Sequence, residues 1–416
     1  MTLLADLLST VFERRYRVGA PERDDGRSSE ELAQALVGSS AGDSTGRALA
    51  VGILTRFAAM TEDEKRAFFW YLANDMNIDP ETVRSTLDAY ESAPSKASYG
   101  NYMRAAEPSR QELIRRLNRV PGSTHALVQM RADLLRLGRG EPQLEALDLD
   151  FQHLFVSWFN RGFLVLRPIS WHSPAHILEK IIAYEAVHAI DSWEDLRRRL
   201  EPNDRRCFAY FHPAMPDEPL IFVQVALTKG IPGSIQSLLA EDRIPLAAEE
   251  ADTATFYSIS NCQAGLAKIS FGNSLIKQVA ADLAASLDGL KTFVTLSPIP
   301  GLTRWLTAQS LQWSIEDPEE LRKLAAHYLL RAKRPDGAPI DPVARFHLGN
   351  GAIVHDLHAD ADLSENGRAQ SSGVMVNYLY NLSAVAHNHE KFTTTHEVIA
   401  SSSVTSLANS SSLSRD

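Results

Sequence analysis

Lys291-Thr292-Phe293-Val294-Thr295-Leu296-Ser297-Pro298-Ile299-Pro300-Gly301 reads as a strand that is forced to stop. Thr292 to Leu296 is β-prone and apolar enough to be buried, whereas Pro298 and Pro300 cannot continue a ladder. Ser297 is therefore expected at the carboxyl end of a rigid element, where open α/β sheets bind their ligands. A hydroxyl held there is a candidate reactive group.

The segments upstream supply the partners of that strand. Pro219 to Thr228 is apolar on both faces and predicts a central strand, and Thr255 to Ser260 predicts another. Asn273 to Leu287 places Ile276, Val279, Leu283 and Leu287 on one helical stripe. Strand, loop, helix and strand in succession imply a right-handed parallel crossover. Gly162 to Leu166 is expected to be a strand, Ser173-Pro174 to open a helix through Tyr184, and Ser192 to cap a short helix ending in Arg197-Arg198-Arg199, a charge run suited to the helix dipole.

Before residue 160 the pattern is helix after helix. Thr61-Glu62-Asp63-Glu64 and Ser109-Arg110-Gln111-Glu112 have the form of capping boxes, and Asp79-Pro80 puts a capping acid before a first-turn proline. The expected organisation is an all-helical domain over 1–159, an α/β domain over 160–400, and a serine-rich tail over 401–416 with little order.

Bulk properties narrow the function. A chain of 416 residues exceeds one ordinary core. A net charge of −10 gives no basic face for nucleic acid and disfavours an anionic membrane surface. No apolar stretch approaches the roughly 20 residues a membrane helix needs. Cys207 and Cys262 have no metal-ligand spacing, Met1 to Ala20 has no signal-like apolar region, and Leu413 to Asp416 is not a peroxisomal address, so a cytoplasmic location is expected. His355-Asp356-Leu357-His358-Ala359-Asp360-Ala361-Asp362 resembles a metal cluster. A calcium loop starting at Asp360 would need glycine where Glu365 stands and glutamate where Ser371 stands, so a solvated loop is expected.

The loop before the predicted helix carries Ala267, Lys268, Ile269, Ser270, Phe271, Gly272 and Asn273. Gly265 and Gly272 allow close backbone approach, the first helical turn offers free N–H groups, and Lys268 and Lys277 add charge. This suits a pyrophosphate, although it is not a Walker loop.

Seven segments in order resemble the malonyl-CoA decarboxylase family: Trp171-His172-Ser173-Pro174, Glu218-Pro219-Leu220, Phe256 to Ser260, Gly272 with Leu275-Ile276-Lys277, Leu296 to Gly301, Phe346-His347-Leu348 with Asn350-Gly351-Ala352, and Asn377-Tyr378 with Tyr380. The resemblance implies a helical domain used to form a homodimer or homotetramer. It also implies a catalytic domain similar to acyl-CoA N-acetyltransferases, α+β overall, with a mixed, splayed sheet. The pantetheine arm would enter between the strand at Phe256–Ser260 and the one ending at Ser297, and Ala267 to Asn273 would hold the CoA pyrophosphate.

The implied reaction converts malonyl-CoA to acetyl-CoA and carbon dioxide. Loss of the carboxylate leaves a thioester enolate, and no metal, biotin or pyridoxal cofactor is required. By resemblance His347 is the proton donor and Ser297 has proton-acceptor character, its hydroxyl being equally suited to bind the carboxylate or the enolate. Ser258 and Tyr380 match positions that orient the malonyl group. The other branch of the family has a glutamate where Ser270 stands, so that role does not carry over. A rival reading is an acyl-CoA-dependent N-acetyltransferase on the same scaffold.

Overall fold

The computed structural model describes residues 26–38, 43–269, 275–311 and 313–414. The chain divides into two compact units: Met1–Val165 with Phe211–Pro219 and Gln263–Ser270, and Leu166–Tyr210 with Leu220–Cys262 and Phe271–Asp416.

The first unit is helical. Among the described residues it contains α1 (Ser29–Gly38), α2 (Asp43–Ala59), α3 (Glu62–Asn74), α4 (Pro80–Ser92), α5 (Lys96–Ala105), α6 (Ser109–Leu117), α7 (Ser123–Leu137) and α8 (Pro142–Trp158). The Thr61–Glu64 box closes reciprocally at the start of α3, and Asp79 caps α4 ahead of Pro80. The expected box at Ser109 does not form. Pro108 takes the N-cap position in a fixed extended conformation, so Ser109 is already helical, and Glu112 turns to Arg116 at 2.7 Å instead. The core joins Phe68 and Leu72 of α3 to Leu127 and Met130 of α7 and to Leu147, Phe151 and Phe155 of α8. Among the described residues two arginines are buried in this unit, each against an aspartate of α8: Arg110 with Asp150 and Arg131 with Asp148.

The second unit is built on a mixed sheet of β1 (Val165–Ile169), β2 (Arg205–Phe211), β3 (Ile221–Thr228), β4 (Thr253–Asn261), β5 (Thr292–Thr295), β6 (Ser297–Pro298), β7 (Ile353–His358) and β8 (Met375–Leu379). Strand order is β1-β2-β3-β4-β5-β8-β6, with β7 also on β8. Its helices include α9 (Ala175–Tyr184), α10 (Trp193–Leu200), α11 (Leu275–Ser286), α12 (Pro318–Arg331), α13 (Pro342–Gly349) and α14 (Ser402–Asn409). β3 is buried on both faces, as its apolar run predicts.

Two features of register shape this sheet. β4 and β5 are parallel, and their ladder ends at Phe256↔Thr295, although β4 runs on to Asn261. Two residues later the chain is paired with β8 alone, Ser297↔Val376 and Pro298↔Met375, continuing the contact β5 begins at Val294↔Leu379. The second feature is a bulge: Gln224 pairs with Ser258 and Val225 with Phe256, which leaves Tyr257 without a cross-strand partner. Its hydroxyl then donates to Gln224 Oε1 at 2.7 Å.

Several expectations need correction. The strand expected at Gly162–Leu166 starts at Val165, because Asn160 Oδ1 accepts the Gly162 N–H and holds Arg161–Phe163 in a 3₁₀ turn. His355 to His358 is part of β7, not a solvated loop; a bulge at His355 places two polar residues in succession and hides the alternation. The serine-rich end forms α14, where Ser401 caps the helix and Val404 and Ala408 are buried. Of the three arginines ending α10, Arg199 is buried and donates to the carbonyls of His188 and Ala189 at 2.7 and 2.8 Å.

Candidate active site

Ser297 is on β6, immediately after the point where β5 leaves β4. Its Oγ donates to Thr295 Oγ1 at 2.8 Å and lies 3.2 Å from His347 Nε2. His347 is in the last turn of α13, a helix started by Asp341, which caps the Ala344 N–H, and by Pro342 in the first turn. His347 Nδ1 lies 2.8 Å from the hydroxyl of Tyr380, just past the end of β8. Tyr378 stacks on the imidazole at 4.5 Å and 23°, and Phe346 meets it edge-on at 5.1 Å. Ser297, His347 and Tyr380, three of the four residues expected to work together, thus form one hydrogen-bonded chain.

Electrostatics fixes the protonation of that chain. His347 is only 2% exposed, and burial pulls its pKa down to about 3. A helix carboxyl end favours imidazolium by at most about 2 kcal/mol, so desolvation prevails and the ring is neutral near pH 7. Burial also pushes the Tyr380 phenol well above its ordinary range, so it keeps its proton. With Ser297 donating to Thr295, the assignment that satisfies every atom has Tyr380 O–H donating to Nδ1 and the Nε2 proton directed at Ser297 Oγ.

Ser258 is placed differently. It lies on β4, two residues past the last β4–β5 pair, and its hydroxyl donates to Glu185 with both carboxylate oxygens at 2.7 Å. Glu185, just beyond α9, accepts also from Ser260 Oγ at 3.2 Å, Gln224 Nε2 at 3.0 Å, and the backbone N–H groups of Val187 and His188 at 2.9 and 3.1 Å. Sequence reasoning missed Glu185. The available signal was Gln224, Ser258 and Ser260 on strands read as buried, since buried polar side chains require a partner.

Ala267, Lys268 and Ile269 follow the 3₁₀ turn Ala264–Leu266 in the helical unit, with Lys268 exposed and Ile269 buried. Lys268 has φ +66°, a left-handed conformation costly for a residue with a Cβ. Ser270, Phe271, Gly272 and Asn273 lie outside the described residues.

Models of known families match the chain from residue 76 onward. The malonyl-CoA decarboxylase C-terminal domain matches residues 162–319 and 316–416, and the malonyl-CoA decarboxylase N-terminal domain matches 76–159. The chain belongs to the malonyl-CoA decarboxylase family. Mitochondrial malonyl-CoA decarboxylase of the goose Anser anser anser is 35% identical over 352 residues, 72% of this chain and 69% of that protein. The Rattus norvegicus protein is 33% identical over 358 residues, 73% and 72% of the two chains. Crystal structures of malonyl-CoA decarboxylase from Rhodopseudomonas palustris (47% identity, TM-score 0.85) and Agrobacterium vitis (46%, 0.86) each cover 91% of this chain and 99% of their own. Membership makes the chain a carboxy-lyase. No described helix is long and apolar enough to cross a membrane.

Proposed function

We propose that this enzyme releases carbon dioxide from malonyl-CoA and returns acetyl-CoA, using Ser297 and His347 on the acyl group. Family membership supports the substrate. The observation that carries the mechanism is the 3.2 Å contact between Ser297 Oγ and a buried imidazole, just past the end of the β4–β5 ladder.

The balance of the reaction is simple: the substrate carboxylate leaves as carbon dioxide, its electron pair becomes the enolate, and one proton is taken up at carbon. His347 starts neutral. A malonyl carboxylate within about 4–6 Å favours the imidazolium, so binding of substrate raises the affinity of the ring for the proton it will deliver. Tyr380 holds Nδ1 and fixes the ring plane. Ser297 turns its proton from Thr295 Oγ1 to the thioester oxygen as negative charge develops there, and an aimed donor of this kind contributes roughly 3 kcal/mol. Protonation of the carbon by His347 then completes acetyl-CoA.

Ser258 has the complementary task. Its proton is committed to Glu185, so it offers lone pairs, which suit an amide N–H of the pantetheine arm better than a second anion. The CoA pyrophosphate is assigned to the loop that follows Gly265, with Lys268 as its exposed cation.

The helical unit leaves Tyr99, Met103, Leu149 and Val156 exposed, and α4 and α5 contain no buried residue. This supports assembly into a homodimer or homotetramer through that unit. Both cysteines are free and buried, in keeping with a reducing compartment such as the cytoplasm.

The test is malonyl-CoA labelled at its free carboxyl, supplied without any acyl acceptor. Labelled carbon dioxide and acetyl-CoA are expected in equal amounts, with turnover at least a hundredfold lower in Ser297→Ala and His347→Ala. No carbon dioxide without an amine acceptor would overturn the reaction; near-normal turnover in both variants would overturn the residue assignment.

A further inference from the structure

We propose that Arg131 of helix α7 is a positioning residue for coenzyme A, holding the loop that follows Gly265 in the form that takes the pyrophosphate. The inference rests on the assignment of the loop after Gly265 to the CoA pyrophosphate. Arg131 is fully buried. Nη1 donates to the carbonyl oxygens of Gly265 at 2.7 Å and Ala267 at 3.0 Å, while Nε donates to Asp148 Oδ1 at 2.7 Å. Gln152 Nε2 holds the second oxygen of Asp148 at 3.1 Å. The guanidinium also lies over the ring of Phe155, 5.9 Å from its centroid. One rigid fork therefore joins α7, α8 and the loop.

The loop backbone is pressed onto α7 as closely as chemistry allows. A Cβ on Gly265 would lie 1.9 Å from the Val128 carbonyl oxygen, so only glycine fits. At the loop entrance Gln129 Nε2 donates to Gln263 Oε1 at 3.3 Å, and Gln263 Nε2 donates to the Pro219 carbonyl at 3.0 Å. The orientation of the next peptide follows from Arg131. With the Ala267 oxygen drawn to the guanidinium, the trans peptide directs the Lys268 N–H the other way, away from α7. The same restraint holds Lys268 in its left-handed conformation. A backbone donor facing away from α7 thus stands on an exposed lysine, the pairing an anionic diphosphate needs.

Lysine at position 131 keeps the charge opposite Asp148 but cannot reach two carbonyls and a carboxylate with a fixed fork. Arg131→Lys should raise KM for malonyl-CoA about tenfold, with kcat within twofold of the parent. KM for malonyl-pantetheine, which lacks the nucleotide and its phosphates, should be unchanged. Arg110→Lys, which disturbs the other buried arginine–aspartate pair of the bundle, should leave the ratio of the two KM values at the parent level. If Arg131→Lys does not fold, Arg131→Met with Asp148→Asn removes both charges and tests the same ratio. Lys268→Ala separates the two layers of the argument. If Lys268→Ala raises KM for malonyl-CoA selectively and the Arg131 variant does not, the positioning role is wrong and the loop assignment stands. If neither variant changes the ratio, the loop assignment fails and the inference falls with it.

Discussion

Replacing His347 by glutamine should remove a specific acid sensitivity from the folded enzyme. The imidazole titrates near its ordinary 6.5 in the unfolded chain and at about 3 when folded, because burial penalises the cation. The sign follows from proton counting. Between those two values the unfolded chain binds a proton that the folded chain does not, so lowering the pH pulls the equilibrium toward unfolding. The stability at stake is fully present above about pH 6.5 and is lost as pH falls toward 3. The loss from this one group is about 2 kcal/mol between pH 7 and pH 5, and about 4 kcal/mol by pH 3. Glutamine does not titrate, so His347→Gln should lose roughly 2 kcal/mol less than the parent over the upper interval. His188 and His212, whose pKa values are also lowered by burial, remain in both proteins and cancel in the difference. Urea unfolding of parent and variant at pH 7 and pH 5 measures it. Equal pH dependence in the two proteins would show that the imidazole is neither dry nor neutral and would refute the protonation scheme. A companion measurement uses carbon-13 histidine: a bound, non-cleavable malonyl thioester should move the His347 inflection upward, because its carboxylate favours the imidazolium.

Tyr380→Phe keeps the ring but removes the 2.8 Å bond to Nδ1, so kcat should fall about fivefold at unchanged KM, one hydrogen bond of about 1 kcal/mol being lost from the oriented state; a steady-state comparison reads the split. Glu185→Gln turns an amide N–H toward donors that now meet a carboxylate, and should cost about 1–3 kcal/mol of stability while raising KM for malonyl-CoA and malonyl-pantetheine alike. A parent-like melting curve and parent-like KM values would remove Glu185 from the site. Gly265→Ala forces a methyl group against the Val128 carbonyl, and KM for malonyl-CoA should rise more than tenfold while malonyl-pantetheine is spared; equal KM values for parent and variant would mean the loop can move freely.

Local chemistry made much of the sheet and site legible. The β-prone run ending in Ser297-Pro298 is a strand that stops for a reason contained in its own residues, and β3 announced its central position by being apolar on both faces. What stayed hidden was non-local. β2 opens with Arg205, an unlikely core residue until its guanidinium is seen donating to the Leu238 carbonyl at 2.7 Å. β7 lost its alternation to a bulge. Glu185 carries no motif, and its role exists only because residues from β3 and β4 converge on it. The resemblance located His347 and Tyr380; no spacing rule would have linked a helix end to the end of a strand.

The parting of β4 from its parallel neighbour is the step that connects sequence to chemistry. Leu296 still donates to Phe256 at 3.0 Å, but beyond it the pairing to β8, begun at Val294↔Leu379, continues without β4, and Pro298 has no N–H with which a ladder to β4 could resume. The interruption therefore originates in the β5–β6 segment. β4 contributes separately, through the bulge that leaves Tyr257 unpaired and links it to Gln224, which in turn donates to Glu185. Two independent irregularities thus act on neighbouring strands, one placing Ser297 against a buried imidazole and the other placing Ser258 on a carboxylate. Ser297 can turn its proton from the neutral Thr295 hydroxyl to an oxyanion, the stronger acceptor, whereas a hydroxyl held by a carboxylate keeps its proton there and can only accept. On the proposed mechanism the two serines, similarly placed beyond the same last ladder pair, serve opposite ends of one thioester: the acyl oxygen that gains charge and the arm that must be held still while it does.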